Sequence, residues 1–204
     1  EGGCPVNNQV WTDLTDPSDI ELVPLLPERT HRIATTELKR VRAFEEEAFP
    51  SLESHGSEST DDYLFGELAY PVFSPDADDI GTISLRIVID FERLITVTRT
   101  PRNLPEDVKM PDLSGLLVRA QAKALESGSC FCFLMEEVTH EINRLVEIIE
   151  DRSEIVEQLL NYDEKPPTDC RKQLARLRNH FLQLKVVIQP TLTLVDGIIA
   201  DEID

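Results

Sequence analysis

The sequence predicts an α/β fold in which a mixed, largely antiparallel sheet is followed by a long antiparallel helical hairpin. Three observations carry this. Extended segments at Tyr63 to Phe73, Thr82 to Ile89 and Leu94 to Thr98 are joined by short polar links, which favour antiparallel neighbours. A strand runs into a helix near the start, around Thr15 to Asp19. Beyond Pro111, two heptad runs flank a loop containing Pro166-Pro167. The character changes between Pro101 and Pro111, which gives a sheet-and-helix portion over 1–110 and a helical portion over 111–204.

Taken in order, Gln9 to Leu14 alternates as a short strand and meets Thr15-Asp16-Pro17-Ser18-Asp19. There Thr15 or Asp16 can cap orphan amides and Pro17 suits the first helical position. The helix then encounters Pro24 and Pro27, so it is expected to be short or broken. A second helical stretch is expected over Thr36 to Phe49, with Leu38, Val41 and Phe44 on one face. Ser51 to Asp62 reads as a polar loop. After the strands, Asp112 or Ser114 is a candidate cap for the next helix and Gly128 a candidate stop.

The following helix carries a seam through Val138, Ile142, Leu145, Ile149, Val156 and Leu159, with Arg152 in the one position that lacks an apolar residue. A second seam is expected through Leu174, Leu177, Phe181, Leu184, Ile188, Thr191, Val195 and Ile198, with a kink at Pro190. The two arms differ in charge. Glu136 to Glu164 holds ten acidic and two basic residues, net −8, whereas Asp169 to Gln189 holds five basic residues and one acidic, net +4. Opposite charges beside a seam fix pairing and orientation more than stability, because each exposed pair contributes only about 0–1 kcal/mol.

The chain has 204 residues and a net charge of −19. Such a charge opposes binding to nucleic acid or to anionic lipid surfaces, and no basic patch dominates. Four cysteines in a chain this long are too sparse for a disulfide framework. Cys130-Phe131-Cys132 lacks the two-residue spacer and second pair of a zinc ribbon, so buried, reduced thiols in a cytosolic compartment are the expectation. No apolar run reaches the eighteen or so residues needed to cross a bilayer.

Signatures of catalysis are missing: there is no Gly-rich phosphate loop, nucleophile elbow or His-Glu-x-x-His pair. Carboxylates offer the candidate metal chemistry. Glu136 and His140 are four residues apart and share a helical face, where both could reach one divalent ion. Asp61 and Asp62, and Asp76, Asp78 and Asp79 between two strands, complete the candidate set. A calcium loop at Asp76 fails because its next alternate position is Ile80 and its closing position holds Ile87. A solvated hairpin turn fits that segment better.

The order of parts resembles a known family. Trp11-Thr12-Asp13-Leu14-Thr15-Asp16-Pro17, Asp62-Tyr63-Leu64-Phe65, Leu94-Ile95-Thr96-Val97-Thr98-Arg99, and an acidic-then-basic hairpin with a late Pro-containing stretch at Val186 to Ile199 are similar to the cytosolic portion of CorA-type divalent cation transporters. The resemblance implies an α/β/α sandwich ahead of the hairpin. It also implies a homopentameric channel in the inner membrane for Mg²⁺ or Co²⁺, or for Zn²⁺ in the ZntB branch, with this chain on the cytoplasmic side. The Arg-Pro-Arg stretch of that branch has no counterpart after His31, which favours Mg²⁺ or Co²⁺. The membrane helices and the Gly-Met-Asn-like pore motif would lie beyond Asp204, and no local motif maps the family's sensing carboxylates onto positions here.

The rival expectation is an interaction scaffold that presents the hairpin to a protein partner and moves no ion. Two hydrophobic segments with a Gly-x-Asn motif downstream of Asp204 would separate the two.

Overall fold

The computed structural model describes residues 10–26, 36, 38–41, 51–55, 63–162 and 170–199. Among these residues five strands form one sheet: β1 (Trp11–Thr15), β2 (Ser51–His55), β3 (Tyr63–Ser74), β4 (Asp79–Ile89) and β5 (Leu94–Thr98). Their spatial order is β1-β5-β4-β3-β2. Only β1 and β5 pair in parallel, and every other neighbouring pair is antiparallel. The mixed, largely antiparallel sheet is therefore as expected.

Alternation along β4 sorts the layers. Ile83, Leu85, Ile87 and Ile89 enter one core with Trp11, Leu68, Tyr70 and Leu94. That core is closed by α2 (Ser114–Ala122) and by the first turns of α3 (Ser127–Tyr162), through Leu116, Ala120, Cys130, Leu134 and Val138. Val88, with Tyr63, Ile95 and Val97, faces the opposite side and packs against Leu22, Leu26 and Leu38. A sheet with apolar side chains on both faces requires cover on both, and the result is an α/β/α sandwich. On this second face Arg86, 1% exposed, stands 3.9 Å from Glu67.

The first helix, α1 (Asp19–Leu22), is one turn long and passes into a 3-10 turn at Val23–Leu25. Its cap is Ser18, whose N and Oγ both donate to Glu21 Oε2 at 2.8 Å. Neither Thr15 nor Asp16 takes that role. Asp16 instead adopts φ 47° and accepts a hydrogen bond from the Thr100 amide at 2.9 Å, which ties the end of β1 to the exit of β5. Of the helical stretch expected over Thr36 to Phe49, residues 37 and 42–49 lie outside the described residues, whereas Leu38 and Lys39 form a turn and Arg40 and Val41 belong to no helix.

Three further differences stand out. Part of the segment read as a polar loop is β2, paired with β3 from Ser51 opposite Glu67 to His55 opposite Tyr63. Gly128 is not a stop. Helix α2 ends at Ala122, the chain turns through Ala124 at φ 49°, and Gly128 lies in the first turn of α3. Ser127 Oγ anchors that start by donating to Asp90 O at 2.7 Å. Asp112 does act at the head of α2, accepting from the Ser114 amide at 3.0 Å. The thiols of Cys130 and Cys170 are buried and free, but Cys132 is exposed.

The hairpin pairs α3 with α4 (Cys170–Ile199), which continues through Pro190. Leu145 and Ile149 meet Leu184 and Val187, with Ile80 of the sheet inserted beside them. The seam of α3 follows the heptad reading. That of α4 follows it in part: Leu184 and Thr191 are buried as expected, but Leu174 and Phe181 are 42% and 53% exposed, and Cys170, His180 and Val187 are buried instead. The helix is turned so that Gln173 and His180 take the inward positions expected of Leu174 and Phe181, and Val187 is buried beside the partly buried Ile188; Gln173 and His180 line a junction with the sheet.

Candidate functional site

That junction forms where the β3–β4 turn meets the hairpin. The turn is built by Asp107, whose carboxylate accepts from Ser74 Oγ at 2.9 Å and from the Asp76 amide at 3.0 Å. Asp78 then takes φ 54°, a left-handed conformation that Asp adopts more readily than most residues. This turns its carboxylate and its carbonyl toward the helices. Arg152 Nη1 donates to Asp78 Oδ1, and the same guanidinium lies over the Phe73 ring at 4.8 Å. Arg176 Nη1 is 3.7 Å from Asp78 Oδ2. Asp79 accepts from the Ile80 amide at 3.0 Å and from the Gln183 side chain.

His180 completes the cluster, with Nε2 2.8 Å from Asp78 O. A carbonyl only accepts, so Nε2 carries the proton. Burial, then the neighbouring Arg152 and Arg176 guanidiniums, hold the imidazole below its usual value of 6.5, against the opposing pull of Asp79. The neutral ring at physiological pH is consistent with one donor aimed at a carbonyl. Around these groups lies a cavity of about 280 Å³, whose polar wall is Asp78, Arg152, Gln173, Arg176 and His180. Val156 and Leu177 supply part of its apolar lining.

The sequence-derived metal candidates are scattered in this structure. Asp61 and Asp62 lie outside the described residues. Glu136 and His140 are exposed on α3, and Asp76 is exposed in the turn. Asp78 and Asp79 are engaged by the hairpin as described. Among the described residues, no three His, Cys, Asp or Glu side chains are grouped closely enough to hold a metal. Beside Glu136, Glu137 and Glu141 approach Tyr70, whose hydroxyl is pushed well above its ordinary value mainly by burial and further by those two carboxylates. Glu141 is itself bound to Arg144 at 2.8 Å.

A second polar array links the residues that carried the family resemblance. Trp11 Nε1 donates to Thr96 Oγ1 at 3.1 Å, and Thr96 Oγ1 donates to Asp13 Oδ1 at 2.6 Å. Burial raises the Asp13 carboxyl above the usual range, partly offset by the Thr96 bond. Arg99 donates to Pro17 O at 2.7 Å and to Leu38 O at 2.9 Å, and so holds the α1 region against the sheet. These side chains position structure.

The family model described as CorA-like Mg²⁺ transporter protein matches residues 7–204. No curated protein sequence matches. Among solved structures, the full-length CmaX protein aligns with a TM-score of 0.60 at 20% identity over 89% of this chain and 51% of that one. The ZntB cytoplasmic domain from Vibrio parahaemolyticus aligns at 0.57 and 16% identity, over 94% of this chain and 69% of that one. The CorA magnesium transporter from Methanocaldococcus jannaschii aligns at 0.45 and 15% identity, covering 92% and 67%. The chain thus spans about half the length of the full-length CmaX protein. None of its helices, among the described residues, is long and apolar enough to cross a membrane.

Proposed function

Because the chain belongs to the CorA-like Mg²⁺ transporter family, we propose that it is the cytosolic sensing portion of a homopentameric divalent cation channel in the inner membrane. The observation that carries this reading is the family match across 7–204, on a chain folded as an α/β/α sandwich with a helical hairpin. Mg²⁺ is the cation of choice, with Co²⁺ or Zn²⁺ as alternatives.

The charge distribution supplies the means. Acidic faces brought together by assembly repel, and a divalent cation between them relieves that repulsion far better than a monovalent one. Metal then favours one arrangement of subunits and its loss favours another, a two-state switch driven by differential binding. Glu136, His140 and Asp76 are exposed and available for such contacts, and Asp61 and Asp62 are the further candidates from the sequence. The test is thermal melting and sedimentation velocity of the chain with and without millimolar Mg²⁺ at constant ionic strength. A Mg²⁺ concentration ten times Kd is expected to add roughly 1.4 kcal/mol to stability and to shift the sedimentation coefficient. If neither quantity moves, this chain is not the sensor.

A further inference from the structure

We propose that the cavity between the hairpin arms and the β3–β4 turn binds hydrogen phosphate. The inference is independent of cation transport. The cavity, about 280 Å³, is several times the space of one water molecule. In a chain of net charge −19, it gathers two guanidiniums against one carboxylate. At 3.7 Å, the contact of Arg176 with Asp78 is longer than a hydrogen bond, and the Arg176 side chain is 66% exposed, so its donors can swing to a ligand at little cost.

Gln173 decides which oxyanion fits. Its Oε1 is buried and has no hydrogen-bond partner among the described residues. A buried acceptor left without a donor is costly, and a small turn of the Gln173 side chain, which lines the cavity, would let a ligand O–H satisfy it. Hydrogen phosphate brings both parts: anionic oxygens for Arg152 and Arg176, and one O–H for Gln173. Sulfate brings oxygens only at neutral pH. Asp78 already occupies the Arg152 side of the site as an internal carboxylate, and so competes with the incoming anion.

The experiment is calorimetric titration of the chain with inorganic phosphate, and separately with sulfate, at constant ionic strength. Phosphate is expected to bind more tightly than sulfate. Arg176→Gln, at a largely exposed position where folding is not at stake, is expected to weaken phosphate about tenfold. Asp78→Asn is expected to tighten it, and Gln173→Leu to erase the preference over sulfate, with circular dichroism checking that each variant is folded. Absence of phosphate binding in the unmodified chain, equal binding of sulfate, or affinity unchanged by Arg176→Gln overturns the assignment.

Discussion

The Arg152 guanidinium lies 4.8 Å from the centre of the Phe73 ring, at the seam position where the heptad of α3 carries no apolar residue. The stem of the side chain fills the seam while its head pairs with Asp78 and stacks on the ring. Replacing it with Leu keeps the volume but leaves Asp78 facing Arg176 alone. Arg152→Leu is expected to cost about 1–3 kcal/mol in urea denaturation, and the double variant with Asp78→Asn to recover part of that loss. Full additivity of the two substitutions would show that they do not interact.

His180 gives the same junction a pH dependence. Its folded-state value is held below the ordinary 6.5, so the unfolded chain binds the proton more readily. The stability it contributes is present above pH 6.5 and is lost as pH falls through the folded value. The melting temperature is expected to drop on acidification below pH 6.5, and His180→Gln to remove that component of the slope. A variant that keeps the full slope would place the titration elsewhere.

Asp13 works in the opposite sense. Burial raises its carboxyl, so the folded state binds the proton more tightly than the unfolded one, and stability falls as pH rises from the ordinary value of 3.8 through the raised one. Asp13→Asn can still accept from Thr96 and removes the charge. At pH 7 it is expected to be at least as stable as the unmodified chain, with the advantage vanishing in acid; lower stability at neutral pH would show that the charged form is the favoured one.

The rotation of α4 can be read from a pair of substitutions. Val187, which is buried, is expected to cost about 1–3 kcal/mol on replacement by Ala. Phe181, 53% exposed, is expected to cost within about 0.5 kcal/mol. Equal costs would restore the seam that the heptad pattern alone suggests.

These cases mark what local sequence can reveal. Strands β3, β4 and β5 were legible because apolar residues and short polar links repeat there, and the α3 heptad because its seam is apolar except at Arg152. Strand β2 was not, since Ser51-Leu52-Glu53-Ser54-His55 holds a single apolar residue and pairs on one side only. The α4 seam departs from the heptad at Gln173 and His180, which look like surface residues until a partner arrives from 102 positions away, where Asp78 O receives His180. For the same reason Asp78 and Asp79 read as metal candidates: the sequence displays their charge, while the guanidinium and amide that meet them come from another part of the chain.

The parallel pairing of β1 with β5 has a kinetic consequence. Asp13 stands opposite Thr96, 83 residues along the chain, whereas β3, β4 and β5 are joined by tight turns. Closing a loop of that length must be met from entropy before any contact rewards it, so the meander forms early and β1 docks late. Until it does, the outer edge of β5 exposes unpaired amides and carbonyls. During synthesis, that edge is open to mispairing with another copy of the chain.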